Sequence, residues 1–115
     1  MRVLLVEDNF IAALDIVARL EALGCTVIGP VGAVSEALEW VERETFQGAL
    51  LDATLRDGNS VPVALALQSK GCKLCFITGY SNLSYLPDSL KEVRCLTKPI
   101  DMNTLQEVVA GFGAS

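Results

Sequence analysis

The sequence predicts one α/β domain in which helices cover both faces of a parallel sheet. Its length of 115 residues is that of a single domain, expected to span residues 1–115. Short runs of consecutive apolar residues, the pattern of strands buried on both faces, recur along the chain. Segments with helical apolar spacing separate these runs, as expected of parallel strands joined by crossover helices.

Five short apolar runs are the candidate strands. They are rich in β-branched and aliphatic residues and lie at residues 3–6, 26–28, 49–51, 74–77 and 95–97. Because crossovers between parallel strands are right-handed, few topologies remain for five such strands. We expect the flavodoxin-like, doubly wound order 2-1-3-4-5, with five helices.

The first and last helices show clear apolar stripes. The first is expected over residues 9–23 and ends before Gly24, with a stripe of Phe10, Ala13, Leu14, Val17, Leu20 and Leu23. Asp101 is the expected cap of the last helix, whose stripe is Leu105, Val108, Val109 and Phe112. Each stripe predicts the face that packs on the sheet.

Three further helices fill the remaining connections. The second and third are expected over residues 34–44 and 60–70. The fourth, over residues 81–93, holds Pro87 in its middle, which cannot lie inside one long helix. We therefore expect this helix to be short, split or mobile.

Composition excludes several classes of function. Fourteen acidic residues outnumber nine basic ones, which argues against direct DNA binding, and the absence of histidine excludes serine-type triads and most zinc sites. No apolar run approaches the roughly 20 residues of a membrane span, and the first residues do not form a signal peptide. We expect a cytoplasmic protein without membrane contact, whose four cysteines, including the Cys72–Cys75 pair, are ordinary reduced thiols.

Polar residues follow four of the predicted strands. Glu7 and Asp8 follow the first strand, Asp52 the third, Thr78 and Gly79 the fourth, and Lys98 and Pro99 the fifth. Because the carboxyl ends of parallel strands share one edge, these side chains should converge. Two carboxylates about 4 Å apart repel by roughly 4 kcal/mol at an effective dielectric constant of 20. A divalent cation removes this repulsion, and the all-oxygen donor set favours Mg²⁺.

This set resembles the receiver domain of bacterial two-component response regulators, the CheY-like family, over essentially the whole chain. Phe76-Ile77-Thr78-Gly79-Tyr80-Ser81 is similar to the motif of the FAT-GUY group. The stretch after Asp52 lacks the usual Met-Pro and fits the same group. Asp57, in the Asp-Gly sequence of that stretch, is interpreted as a turn residue.

The resemblance implies a role for each residue of the set. Asp52 would take a phosphoryl group from a sensor histidine kinase or a histidine phosphotransfer protein. Asp8, Asp52 and the backbone carbonyl of Thr54 would ligate Mg²⁺, and Glu7 would act through water. Lys98 would contact the phosphoryl oxygens and Thr78 would donate a hydrogen bond to one of them. A cis peptide bond between Lys98 and Pro99 would aim the lysine into the site.

The resemblance also implies a conformational switch. Cys95 stands where the common type of receiver has a rotating aromatic residue, so we expect Thr78 to act through Gly79, Tyr80 and the segment up to residue 93. With no output domain after the last helix, the signal should leave through a protein contact. The expected face is formed by the fourth helix, the fifth strand and the fifth helix.

Three alternative functions fit the sequence less well. A Mg²⁺-dependent phosphatase with an aspartyl nucleophile would need a second aspartate at position 54, where this chain has threonine. A small flavodoxin would need a phosphate-binding loop after the first strand, where Glu7 and Asp8 would repel a phosphate. A receiver-like interaction domain that works without phosphorylation would not need Asp8, Asp52 and Lys98.

Overall fold

The computed structural model, which describes residues 1–79 and 86–113, contains one five-stranded parallel sheet and a small hairpin. The strands are β1 (Arg2–Val6), β2 (Thr26–Val31), β3 (Gly48–Asp52), β4 (Thr54–Leu55), β5 (Gly58–Asn59), β6 (Lys73–Thr78) and β7 (Cys95–Thr97). The sheet has the order β2-β1-β3-β6-β7, and β4 and β5 form the hairpin. The predicted order 2-1-3-4-5 is thereby confirmed, with β6 and β7 as its fourth and fifth strands.

The described part of the chain contains four α-helices: α1 (Phe10–Ala22), α2 (Val34–Arg43) and α3 (Val61–Ser69), which connect strands, and α4 (Met102–Gly113), which follows β7. The sequence predicts a short, split or mobile helix over residues 81–93, of which the structure describes residues 86–93. These contain a 3-10 turn, Asp88–Leu90, which begins directly after Pro87. Pro87 has no N–H to donate to a preceding turn, so a helix cannot run through it. Among these helices, none is long and apolar enough to cross a membrane.

The sheet separates two hydrophobic clusters. Successive residues of β1 alternate between them: Leu4 and Val6 face α2 and α3, whereas Val3 and Leu5 face α1 and α4. Every residue of β3 is buried, as its uninterrupted apolar sequence predicts for a central strand. The buried centre of the sheet therefore ends, at its carboxyl edge, in the residues of the predicted site.

The packing face of α4 agrees with its predicted stripe, and that of α1 agrees in part, because Val17 and Leu23 also pack against the cluster on that side of the sheet. All four predicted residues of the α4 stripe are buried. In α1 the buried residues are Ala13, Ile16 and Leu20, while Phe10 and Leu14 are 50% and 68% exposed. The residues Ala13, Ile16 and Leu20 lie at i, i+3 and i+7, which rotates Leu14 away from the sheet. A patch of Phe10, Ile11 and Leu14, called here the α1 patch, is left exposed.

Strand β2 continues past the end predicted for it at Ile28. The chain passes through Gly29, with φ of +121°, and a register shift, and Val31 pairs again with Val6. A side chain at position 29 would place its Cβ 2.4 Å from the carbonyl oxygen of Leu5, so only glycine fits. The extension lets the Val31 carbonyl accept a hydrogen bond from the Glu7 N–H at 2.9 Å.

Candidate functional site

Three carboxylates meet at the carboxyl edge of the sheet. Glu7 and Asp8 directly follow β1, and Asp52 is the last residue of β3, which is the neighbour of β1. One carboxylate oxygen from each residue lies within 4.8 Å of the others, close enough to share a metal ion. The structure thus brings together the acids that the sequence places at these two strand ends.

Lys98 supplies the positive charge of this cluster. It follows β7, and its Nζ donates hydrogen bonds to Glu7 Oε1 and, at 3.0 Å, to Asp52 Oδ2. Its backbone N–H donates to the carbonyl of Thr78, at the end of β6, at 2.8 Å. Burial would lower the pKa of Lys98, but the hydrogen bonds with Glu7 and Asp52 outweigh it and raise that pKa. The ammonium therefore keeps its charge through the neutral range.

Glu7 is fully buried, which the prediction of a water-mediated acid did not anticipate. Its Oε2 accepts a hydrogen bond from the Asn9 N–H at 3.2 Å, and its Oε1 accepts one from Lys98. Burial and the hydrogen bond with Asp52 raise the pKa of Glu7 to about 7, against the opposing effect of Lys98. Three carboxylates thus lie together beside one ammonium, and a proton or a bound cation would offset the remaining negative charge.

Asp52 is held by the chain that follows it. Its Oδ1 accepts a hydrogen bond from the Thr54 N–H at 3.2 Å, and its Oδ2 accepts the bond from Lys98. The Ala53 N–H donates to the carbonyl of Ile77 at 3.0 Å, which ties this turn to β6. Only 12% of the Asp52 side chain is exposed, so its carboxylate is fixed in direction at the rim.

The other predicted residues lie around this cluster. Thr78 is buried at the end of β6 and pairs in register with Thr97 of β7, while Gly79 after it is exposed. Cys95 is exposed on β7, in register with Phe76. Tyr80 lies outside the described residues. The Lys98–Pro99 peptide bond is cis, and so is Gly29–Pro30.

Asp57 has a contact that the sequence did not reveal. It lies in the turn between β4 and β5, as the Asp-Gly sequence predicts, but its Oδ1 also accepts a hydrogen bond from the Val34 N–H at 2.8 Å. Val34 begins α2, whose own N-cap residue, Ala33, offers no side-chain bond. Asp57 therefore caps a helix 23 residues away in sequence, a pairing without a local sequence signal.

A comparison with protein families identifies this arrangement. The model of the response regulator receiver domain matches residues 3–110. The chain belongs to the response regulator receiver domain family. Within the curated proteins, this receiver is 35% identical to the response regulator protein PilR of Pseudomonas aeruginosa over 81 residues. That match covers 67% of this chain and spans 18% of the length of PilR.

Solved structures of receivers share the fold. SdrG from Sphingomonas melonis Fr1 is 32% identical, with a TM-score of 0.83 over 99% of this chain and 97% of that one. The receiver domain of the sensor histidine kinase PA1611 from Pseudomonas aeruginosa PAO1 is 22% identical, with a TM-score of 0.84 over 98% of each chain. That second structure holds a magnesium ion in its active site cleft.

The donor set of this receiver fits a hard divalent cation. The cluster consists of carboxylate oxygens from Glu7, Asp8 and Asp52, the ligand type that Mg²⁺ prefers. The four cysteines, which would favour softer metals, are free thiols in the structure, and none belongs to this cluster. The acidic cluster can therefore bind Mg²⁺.

Proposed function

We propose that Asp52 is the phosphoryl acceptor of this receiver. The observation that carries the proposal is the position of its carboxylate, fixed between the Thr54 N–H and the Lys98 ammonium beside two further acids. An Asp52 oxygen attacks the phosphorus, the bond from phosphorus to the donor atom breaks, and the donor atom keeps its electron pair. The product is an aspartyl phosphate. Positioning and charge neutralisation are the main contributions that such a transfer requires of a protein.

Asp8, Asp52 and the carbonyl of Thr54 would hold Mg²⁺, with Glu7 acting through water. When bound, the ion neutralises charge on the phosphoryl oxygens. The magnesium ion of the PA1611 receiver supports this assignment by analogy of fold. Lys98 then exchanges its contact with Asp52 for one with a phosphoryl oxygen while remaining paired with the buried Glu7.

Thr78 and Lys98 form the proposed switch. Their backbones are already joined by the bond from Lys98 N–H to the Thr78 carbonyl, so a movement of either residue is transmitted to the other. In this proposal the hydroxyl of Thr78 turns toward the phosphoryl group and Gly79 changes conformation. Because position 95 holds a small, exposed cysteine, the switch does not include the rotation of an aromatic side chain there.

The phosphoryl donor is a sensor histidine kinase or a histidine phosphotransfer protein. The α1 patch, which begins two residues after Asp8, offers it an apolar contact beside the site. The signal leaves by the face formed by the segment before β7, β7 itself and α4. Amide exchange with and without beryllofluoride plus Mg²⁺ tests this route, because protection over residues 79–93 should change.

Intact-mass measurement after incubation with acetyl phosphate tests the acceptor. The wild-type chain should gain one phosphoryl group with Mg²⁺ and none with excess chelator. Asp52→Asn should gain none and keep a native circular dichroism spectrum, whereas the matched control Asp57→Asn should gain the full mass. Phosphorylation of Asp52→Asn would refute the assignment, and rapid hydrolysis of many phosphate esters would favour the phosphatase alternative.

A further inference from the structure

The loop that holds Lys98 is hydrogen-bonded to helix α1 through an arginine that does not belong to the carboxylate cluster. Arg19, in the last turns of α1, donates a hydrogen bond from Nη1 to the backbone carbonyl of Ile100 at 3.1 Å. The two residues are 81 positions apart in sequence, and Ile100 lies two residues after Lys98. The guanidinium is itself oriented by an ion pair from Nε to Asp15 at 3.0 Å.

The segment from Lys98 to Asp101 is anchored at each end. At its start, the Lys98 N–H donates to the Thr78 carbonyl. At its end, Asp101 caps α4 by accepting hydrogen bonds from the Thr104 N–H at 2.8 Å and the Thr104 hydroxyl at 2.7 Å. Between these anchors, a cavity of about 350 Å³ lies between the loop and α1. Arg19 lines this cavity and therefore makes its contact outside the close-packed core.

We infer that Arg19 is a positioning residue for phosphoryl transfer, acting through the loop on Lys98. The hydrogen bond to Ile100 fixes the distance between α1 and this loop, and thereby the direction in which the lysine side chain leaves the backbone. The Lys98 ammonium must reach Glu7 and Asp52 together, which leaves little tolerance for a displaced backbone. The inference rests on the proposed function of Asp52.

The chain offers a matched control for this arginine. Arg43, on α2, also forms an ion pair with the acid four residues before it, Glu39, and also donates to a backbone carbonyl. That carbonyl belongs to Glu39 itself, so Arg43 does not bind the loop of Lys98. Arg19→Met and Arg43→Met therefore remove the same chemistry from two helices, and each keeps an apolar stem.

The experiment compares wild type, Arg19→Met, Arg19→Lys and Arg43→Met. The rate constant for modification by acetyl phosphate is measured at saturating Mg²⁺, together with the NMR signal of the Lys98 ε-methylene group in chelated protein. We expect Arg19→Met to react about tenfold more slowly and to shift the Lys98 signal, because small displacements of a positioned group cost large factors in rate. Arg43→Met should match wild type, and Arg19→Lys should recover most of the rate through its own N–H donors.

Salt separates positioning from a long-range charge effect. A hydrogen-bonded loop keeps its place at about 0.5 M salt, whereas an interaction between distant exposed charges is screened. A rate loss in Arg19→Met that disappears in salt, or a wild-type rate with an unshifted Lys98 signal, would overturn the inference. If the wild-type chain itself takes up no phosphoryl group, the proposed function fails. The Lys98 signal then still decides whether Arg19 positions the lysine.

Discussion

Lysine side chains bind different groups at the two edges of the sheet. At the amino edge, Lys70 donates to the carbonyls of Val41 and Glu42 at the end of α2, and Lys73 donates to the Gly111 carbonyl of α4 at 2.9 Å. At the carboxyl edge, Lys98 binds two carboxylates. Helices in β–α units run antiparallel to the strands, so their negative C-terminal ends gather at the amino edge. Lysines there bind the backbone carbonyls of helix ends, while Lys98 binds the carboxylates of the proposed phosphoryl-transfer site.

The largest expected effect comes from exchanging these lysines for alanine in turn. Lys98→Ala should slow phosphoryl uptake from acetyl phosphate about 100-fold, the usual loss when one preorganised donor to a developing charge is removed. Lys73→Ala should leave the rate at its wild-type value, because its side chain lies at the other edge. Time courses by intact mass give both rates. Equal losses of rate in the two variants would contradict the proposed difference between lysines at the two edges.

A substitution at the amino edge should affect stability without changing the reaction. An alanine at Gly48, the first residue of β3, would place its Cβ 2.2 Å from ring atoms of Phe112. Overpacking of this severity should cost about 3 kcal/mol in the free energy of unfolding. In α4, Gly111→Ala has open space around the new methyl group and should gain about 0.5–1 kcal/mol instead. Urea unfolding measures both, and a neutral Gly48→Ala would contradict the packing.

A smaller loss of stability is expected from Lys73 itself. Lys73→Met keeps the apolar stem but removes the hydrogen bond to the Gly111 carbonyl, which should cost about 1 kcal/mol. Urea midpoints of this variant and of Lys91→Met, whose ion pair with Asp88 is exposed, provide the comparison. If Lys73→Met loses no more stability than Lys91→Met, the lysine does not stabilise the C-terminal end of α4.

The smallest effect concerns pH and the caps of the carboxyl edge. The hydrogen bond from the Val34 N–H lowers the pKa of Asp57, and bonds from Thr104 lower the pKa of Asp101. As the pH falls, the unfolded chain therefore takes up protons at a higher pH than the folded chain does. These acids stabilise the fold above their ordinary pKa, and this contribution is lost as the pH falls through the lowered pKa values. Asp57→Asn should flatten the decline in urea midpoint between about pH 5 and pH 3. An unchanged slope would mean that the Asp57 carboxylate makes no pH-dependent contribution to stability.

Most of the fold follows from local patterns in the sequence. Continuous apolar runs mark the strands, and the right-handed crossover rule then orders them, which brings Asp8, Asp52 and Lys98 to one edge. Side-chain partners over long sequence separations have no such local signal. The hydrogen bond from Lys98 to Glu7 joins residues 91 positions apart in sequence. The residues that flank Lys98 and Glu7 in the sequence indicate neither this hydrogen bond nor the burial of Glu7.

Two elements, β2 and α1, show why local sequence patterns do not determine the whole fold. Gly29 and Pro30 are residues that usually end a strand, yet β2 continues through them because the chain re-pairs with β1 after a register shift. In α1, apolar residues occupy more than one face, so spacing alone could not decide which of them pack on the sheet. Tertiary contacts determine which apolar residues of α1 pack on the sheet. The ligand and switch roles stay predictions.

The close approach at Gly29 limits how this sequence can diverge. Any side chain there would meet the Leu5 carbonyl at 2.4 Å and the Val31 N–H nitrogen at 3.0 Å, forcing the first two strands apart just before Glu7. A glycine without chemical function is thereby tied to the geometry of the carboxylate cluster. In a library of random variants selected for phosphoryl uptake, position 29 should stay as invariant as Asp52, the proposed acceptor, although glycine takes no part in the chemistry.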